Sequence, residues 1–275
     1  MNGFWLSTRL DISESLRSRW FLLYGLVFGG IVITLMVFGL TESRVMGFTG
    51  LSRLLVTYVQ LSMAILPIFI LITTVRSLAG DREAGVYEYM LAQPISLAAW
   101  YWGKFFGRFI VVFTPVILSM AVAVAWGAIR GAEVPVYHFI WYCGLIMSLS
   151  LCFLGIGFLI SSMTRSSDVA QSAAFFLWLL LLLFIDLVLL GMIIRAQAPL
   201  ETVVVLALAN PLQVFRTSAM ILFDPQLILL GPSAWIILDA FGHLGYLLWG
   251  LFYPAIVGLI TGGVGYLVFR RGDLV

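Results

Sequence analysis

Few residues of this 275-residue chain could take part in bond-making chemistry. Cys143 and Cys152 lie nine positions apart in one apolar run, and the only histidines are His138 and His243. Nine helical residues rise about 13 Å, whereas a disulfide needs Cα atoms within about 7 Å. Two cysteines and two histidines are also too few for a convincing metal site. We therefore predict no catalytic residue and no metal ligand, and we interpret the cysteines as apolar packing residues.

The sequence also contains no motif for nucleotide or peptide chemistry. The phosphate-binding loop has the pattern GxxxxGK[ST], but the only Gly-Lys pair, Gly103-Lys104, is followed by phenylalanine. No HExxH zinc-protease motif occurs. A rhomboid-like protease would need a serine and a histidine within the membrane, whereas Ser233 and His243 lie between the predicted spans. ATP and Mg²⁺, if they drive this protein, must bind to another polypeptide, so we predict no cofactor in this chain.

One charged residue, Asp186, lies deep within a predicted membrane span, in the sequence LFIDLVLL. Ionisable residues are costly in a bilayer, so those that occur there usually have a function. Three interpretations stay open: a structural hydrogen bond to another span, a role on the substrate path or in gating, and a proton relay. A relay normally needs several carboxylates or histidines, and the predicted spans hold no second one.

The composition indicates that membrane-spanning helices position these residues. Hydrophobic residues make up 62% of the chain and charged residues 10%, whereas soluble domains have roughly 45–50% and about 25%. A net charge of +2 also excludes a nucleic-acid-binding surface. About 20 apolar residues cross the hydrocarbon layer, and six stretches are long enough. They are residues 20–40, 54–75, 109–129, 139–160, 172–194 and 247–269.

The six stretches predict an all-α, polytopic membrane protein with a single transmembrane domain over residues 1–275. They lack the alternation of barrel strands, and helices are the other structure that can cross a bilayer. Ten of the 15 Lys and Arg residues lie on the side of the two termini. Because basic loops face the cytoplasm, we expect both termini to be cytoplasmic.

The N-terminal segment, residues 7–19, has the pattern of a short amphipathic helix. Ile12, Leu16 and Trp20 recur every four residues and share one face. Such a helix is suited to lie at the headgroup level before the chain turns into the first span. A mobile basic tail is the alternative.

The loop over residues 76–104 has a helical pattern of its own. Asp81 and Glu83 stand where a helix could begin, since acidic residues favour a helix N-terminus. Pro94 ends the pattern, and Ser96 is suited to cap a second helix that enters the third span. The loop is therefore predicted to form a short helix, a stop and a return to the membrane, with a polar end that can meet a soluble partner. A solvated connector is the simpler alternative.

This loop resembles the signature of ABC-2 type transporter permeases. The matching positions are Glu83, Gly85, Glu88, Leu91, Pro94 and Gly103-Lys104. The resemblance extends over nearly the whole chain, because those permeases also have an interfacial helix, six spans and a long outer segment, here residues 195–246. It implies that the helix after span two inserts into a separate ATPase subunit. By this resemblance the coupling residues are Asp81, Arg82, Glu83, Gly85, Tyr87 and Glu88.

The resemblance further implies a non-catalytic permease subunit in a bacterial inner membrane. It implies a homodimer that binds two ABC ATPase subunits on the cytoplasmic side and contacts the lipid bilayer. An autonomous secondary transporter or channel is the alternative, and a membrane anchor that tethers a partner is a third interpretation.

Three stretches are similar to the permeases of transporters for copper-site maturation of nitrous oxide reductase. They are Ser13–Trp20, Leu183–Leu190 and Ala209–Arg216. The chain has no methionine- or cysteine-rich copper relay, so the cargo stays open between copper, a sulfur species and another compound. A periplasmic partner is implied at the outer segment, with Asn210, Pro211 and Arg216 as its contacts.

The sixth predicted span contains Gly258 and Gly262 at GxxxG spacing. This spacing lets two helices approach closely. Both tight packing within the chain and a homodimer contact fit it. The outer segment 195–246 is partly apolar, so we expect it to pack on the membrane surface or dip into it.

Overall fold

The computed structural model describes residues 3–38, 50–91, 95–129, 136–184, 187–188, 191, 200–223 and 232–272. Within these ranges every regular element is a helix, as the sequence predicts. The helices are α1 (Gly3–Arg17), α2 (Arg19–Phe38), α3 (Gly50–Glu83), α4 (Val86–Leu91), α5 (Leu97–Ile129), α6 (Val136–Met163), α7 (Ser167–Leu179), α8 (Leu200–Ala209), α9 (Pro211–Phe223) and α10 (Pro232–Arg271). A π-helical turn, Leu180–Phe184, follows α7 directly.

Four of these helices, α3, α5, α6 and α10, are long and apolar enough to cross a membrane. A fifth crossing is possible where α1 and α2 form one pair, which is bent by 68°. The chain is therefore a multi-pass membrane protein. The predicted fifth span, 172–194, begins within α7 and runs into residues outside the described ranges, so the total of six spans stays a prediction.

The second and third spans extend further than the sequence predicts. Helix α3 has 34 residues and α5 has 33, so each is about 50 Å long against a hydrocarbon layer of about 30 Å. No proline interrupts residues 68–83, and the helix continues to Glu83 instead of ending at residue 75. Most of segment 76–104 is thus a rigid extension of two spans.

Helix α6 lies at the centre of the bundle and packs against α3, α5, α7, α9 and α10. Its buried face includes Leu145, Leu149 and Phe153. It also carries a buried polar residue, Ser148, whose hydroxyl accepts a hydrogen bond of 3.0 Å from the backbone N–H of Ala255. That N–H follows Pro254, where the helical hydrogen-bond ladder of α10 is interrupted. A side chain of α6 thus satisfies a donor that the membrane could not.

Helix α1 packs along the first half of α5 through a polar face. Its buried residues are Ser7, Thr8, Asp11 and Ser15, whereas Leu10 is 58% exposed. Gly103 and Gly107 of α5 make room for this contact. At Gly103, an added Cβ would lie 2.6 Å from the Cβ of Ser7. The helix is therefore oriented by small polar side chains facing the protein, while its apolar face is left for lipid.

The outer segment 195–246 contains helices and is partly built into the bundle. Helix α9 packs against α3, α6 and α10. Its residues Leu212, Phe215 and Ile221 are buried. This packing explains the apolar residues that the sequence shows between the fifth and sixth predicted spans.

Candidate functional site

The chain turns at the end of α3, on the side of the bundle where α1 lies, which we call the α1 end. Gly85 has a φ of +67°, a left-handed conformation that glycine adopts without steric cost. The N–H of Ala84 donates to the carbonyl of Gly80 at 2.9 Å, closing the last turn of α3. The expectation that Asp81 and Glu83 begin a helix is therefore wrong: both lie in the last turn of α3, because that helix continues without a break from the second span.

Asp81 is held by Lys104 of α5. The two side chains form a salt bridge and are 18% and 10% exposed. A carboxylate near a helix C-terminus is electrostatically unfavourable, and the lysine compensates for it. The Lys104 ammonium also lies 5.0 Å from the ring centroid of Trp100 and donates to the carbonyl of Ser77 at 3.4 Å. Asp81 thus connects α3 to α5 and does not face outward.

A second ion pair connects α1 to α5. The Arg108 guanidinium contacts a carboxylate oxygen of Asp11 at 2.9 Å, and the Asp11 side chain is fully buried. Burial raises the pKa of Asp11 above its usual value, and the nearby Arg108 charge partly opposes this rise. Arg108 also donates to the hydroxyl of Ser77 at 3.4 Å. The start of α5 is therefore tied to both α1 and α3.

Ser161 of α6 inserts its hydroxyl into the backbone of α3. The hydroxyl donates to the carbonyl of Val75 at 2.6 Å. It accepts from the N–H groups of Leu78 at 3.2 Å and Ala79 at 2.9 Å. A side chain that enters the hydrogen-bond ladder of a helix alters its local path. The extension of α3 is thereby fixed to the end of α6.

Tyr87 holds α4 against the bundle. Its hydroxyl donates to the carbonyl of Leu78 at 2.6 Å, and its ring packs edge-on against Trp100 and Phe269, with centroids 5.5 and 5.4 Å away. The Arg82 guanidinium lies 5.8 Å from the Tyr87 ring centroid. Arg82 also donates to the carbonyl of Thr164 at 3.1 Å. Arg82 and Tyr87 are therefore internal ties of the segment.

The exposed side chains of the segment include Glu83 and Tyr89. Glu83 is exposed and accepts a hydrogen bond of 2.6 Å from the hydroxyl of Ser167, and this bond lowers the pKa of Glu83 below its usual value. Tyr89 is 76% exposed on α4. The backbone of Glu88 lies in α4, but its side chain lies outside the described residues. The segment thus has an inner face of ion pairs and an outer face that includes an acidic and an aromatic side chain.

Sequence reasoning missed Arg108, Ser161 and Tyr89 as parts of this site, and it named Lys104 only as a position of the family signature. One signal was present: Trp100, Lys104 and Arg108 recur every four residues, which places them on one face of a helix. No comparable signal marks Ser161, whose role depends on which helix α6 contacts.

A sequence model described as "ABC-2 family transporter protein" matches residues 5–274. The match includes the 76–104 segment and all helices from α2 to α10. The chain belongs to the ABC-2 family of transporter proteins. This confirms the family resemblance of the segment and agrees with a polytopic, helical fold.

Two curated ABC-2-like relatives are named "Probable ABC transporter permease protein NosY". The protein from Stutzerimonas stutzeri is 25% identical over 222 residues, which cover 78% of this chain and 80% of the relative. The protein from Pseudomonas aeruginosa is 25% identical over 232 residues, which cover 80% and 82%. The chain is therefore similar to NosY permeases over most of their length.

In this ABC-2 permease, the GxxxG glycines of α10 face other helices of the same chain. A Cβ on Gly258 would collide with the backbone of Leu151, and a Cβ on Gly155 would collide with the carbonyl of Gly258. A Cβ on Gly262 would lie 3.0 Å from the ring of Phe105. These contacts place α6 and α10 at close distance within one chain.

Asn210, Pro211 and Arg216, the predicted contacts of a periplasmic partner, differ in how exposed they are. Asn210 is buried; its amide donates to the carbonyl of Leu181 at 2.9 Å, and its side-chain oxygen accepts from the N–H of Leu212 at 3.0 Å. Pro211 follows as the first residue of α9, a position that proline favours. This burial counts against Asn210 and Pro211 as partner contacts. Arg216 is partly exposed on α9, and its contact with a partner stays a prediction. Asp186 lies outside the described residues.

Proposed function

We propose that this ABC-2 permease receives mechanical work from a separate ATPase at its 76–104 segment and converts it into rearrangement of its spans. The sequence supplies no phosphate-binding loop, so ATP and Mg²⁺ would bind in that ATPase. The catalytic step would then lie wholly outside this chain.

One observation carries this proposal: the 76–104 segment is tied at several points to three spanning helices. Lys104 and Asp81 join α5 to α3, and Ser161 joins α3 to α6. Tyr87 adds the connection from α4. A force applied to α4 would therefore move the ends of α3, α5 and α6 together, which a mobile connector could not do.

The outer face of the segment is the proposed docking surface. Glu83 and Tyr89 are both exposed there. Tyrosine is common among residues that dominate binding energy, because its ring buries a large area and its hydroxyl can hydrogen-bond. Glu88 stays a candidate on the same short helix. The inner residues Asp81, Arg82 and Tyr87 would transmit the motion, and Gly85 would shape the turn.

The assembly we propose is a homodimer of this chain with two ATPase subunits. The positive-inside pattern supports a cytoplasmic position for both termini and for the 76–104 segment, in a bacterial inner membrane. The named relatives support a role like that of NosY. We extend this to copper-site maturation of nitrous oxide reductase, with copper or a sulfur species as cargo and a periplasmic partner near Arg216.

The proposal is tested by co-expressing the chain with an ABC ATPase encoded beside it. The double variant Glu83→Arg/Tyr89→Ala should recover at least about tenfold less ATPase, as expected for the loss of two central contacts. Asp168→Arg on α7 is the control, because Asp168 is exposed and lies outside the segment. Equal recovery from the double variant would show that ATPase docking does not use this surface.

A second measurement separates coupling from simple tethering. Liposomes that contain the chain with its ATPase should take up or release cargo with ATP, and liposomes that contain the chain alone should not. The variant Asp186→Asn tests whether Asp186 has a role on the substrate path. We expect it to be expressed like the wild type and to transport less cargo. Transport by the isolated chain without any ATPase would instead indicate an autonomous transporter.

A further inference from the structure

A polar cavity of about 240 Å³ lies at the bend between α1 and α2, against the α1 ends of α3 and α5. A smaller apolar cavity adjoins it. Four residues line both cavities, namely Ser15, Ser18, Thr73 and Arg108. We call the two together the elbow cavity. It offers a polar compartment and an apolar compartment side by side.

The apolar compartment lies on the side of the membrane spans. It is lined by Phe21 and Tyr24 of α2, by Phe69 of α3 and by Val111 and Val112 of α5. Phe21 and Tyr24 lie in the first two turns of α2, just after the bend. The polar compartment instead lies beside α1, whose exposed apolar side chains, such as Leu10 and Leu16, suit it to the membrane surface. With α1 at the membrane surface, the elbow cavity would extend from the level of the lipid headgroups toward the hydrocarbon layer.

The polar compartment contains charges of both signs. Two of its cations already have carboxylate partners. The pairs are Lys104–Asp81 and Arg108–Asp11. Two further residues line the compartment, Arg76 and Glu14. Both are exposed, and the positive charge of Arg76 also acts on Glu83, where it helps to lower the pKa of that carboxyl. The compartment thus presents one further positive and one further negative group to its interior.

Two buried polar atoms at the junction of the compartments also have no hydrogen-bond partner among the described residues. They are the hydroxyl oxygen of Ser15 and the Nε of Arg108. Buried polar atoms are nearly always hydrogen-bonded, so unpaired ones next to a cavity indicate a ligand or ordered water. Arg108 Nε is a charged donor, which favours an anionic oxygen.

From this arrangement we infer that the elbow cavity binds a phospholipid with a zwitterionic headgroup. The phosphate lies between Arg76 and Arg108, the ammonium group lies at Glu14, and the start of an acyl chain packs along Phe21 and Tyr24. A purely anionic headgroup fits less well, because the Glu14 carboxylate would repel it. This inference does not depend on ATPase docking: of these residues only Arg76 belongs to the 76–104 segment, and the proposed docking contacts are Glu83 and Tyr89.

The test uses the purified protein, without any ATPase, reconstituted in nanodiscs of equal phosphatidylethanolamine and phosphatidylglycerol, followed by native mass spectrometry. The wild type should retain phosphatidylethanolamine in preference to phosphatidylglycerol. Arg76→Gln should lower retention of both lipids several-fold, because both headgroups carry the phosphate. Glu14→Gln should abolish the preference by improving retention of phosphatidylglycerol, because only phosphatidylethanolamine carries the ammonium group.

The control variants Arg9→Gln and Asp168→Asn remove exposed charges that do not line the cavity, and both should keep the wild-type pattern. Elution of each variant at the wild-type volume in size-exclusion chromatography shows that it is folded. Equal retention of the two lipids by the wild type, or an unchanged preference in Glu14→Gln, would overturn the inference. Displacement of the lipid by soluble phosphoethanolamine would assign the site to a small headgroup compound and overturn the acyl-chain contact.

Discussion

The hydroxyl of Ser161 on α6 accepts a hydrogen bond of 2.9 Å from the backbone N–H of Ala79 on α3, 82 positions earlier in the chain. The same hydroxyl donates to the carbonyl of Val75. One short side chain is therefore hydrogen-bonded to three backbone groups of α3. It does so where α3 extends toward the 76–104 segment, so the position of that extension depends on α6.

Replacing Ser161 with alanine should lower the free energy of unfolding by about 1–3 kcal/mol, because it removes three buried hydrogen bonds between α6 and the backbone of α3. The matched control is Ser150→Ala on the same helix, since the buried Ser150 hydroxyl bonds only to Ile146, one turn earlier. Thermal unfolding in detergent measures both. Similar losses of stability in the two variants would mean that the hydrogen bonds from Ser161 to α3 contribute no more than a hydrogen bond within α6.

Replacing Gly155 with alanine should destabilise the α6–α10 contact. The added Cβ would meet the carbonyl of Gly258, which is backbone and cannot move aside as a side chain can. Overpacking of this kind costs about 1–3 kcal/mol. Gly263→Ala on α10 is the control, because a Cβ there has nothing within 4 Å. A drop in the thermal midpoint is expected for Gly155→Ala alone; an equal midpoint would show that the two helices separate readily.

Several features of the fold could be predicted from the residues themselves. The apolar runs indicate the spanning helices, and Gly258 with Gly262 indicates a close helix contact. The orientation of α1 is harder to predict. The sequence shows that the helix is amphipathic, but it does not show that the face with small polar residues packs on Gly103 and Gly107 of α5. Which face of a helix meets protein depends on a partner surface distant in sequence.

The coupling candidates show the same limit. The sequence indicates the 76–104 segment, yet it does not reveal that Asp81 faces inward, because the partner Lys104 lies 23 positions away on another helix. Tyr87 and Tyr89 are two positions apart in one short helix, and only the packing of α4 tells the buried ring from the exposed one. The sequence therefore indicates which segment forms the surface, but only the tertiary contacts show which of its residues are exposed.

Asp11 should make stability depend on pH in the acidic range. Burial raises its pKa in the folded protein above the usual 3.8, so the folded state binds a proton at a higher pH than the unfolded state. Its contribution to stability is therefore fully present below about pH 3.8 and is lost as the pH rises through the folded pKa. Thermal midpoints of wild type and Asp11→Asn, measured from acid to neutral pH, should differ in slope. Asp168→Asn, at an exposed site, should keep the wild-type slope.

Asn210 should act as a helix cap rather than as a partner contact. Its side-chain oxygen accepts from the N–H of Leu212 at the start of α9, and its amide donates to the carbonyl of Leu181. Asn210→Asp keeps the acceptor and loses the donor, so it should cost less than Asn210→Ala, which loses both and should cost about 1–2 kcal/mol. Thermal unfolding of the purified complex measures this order. If both variants unfolded like the wild type while binding of a periplasmic partner fell, the partner-contact interpretation would replace the capping one.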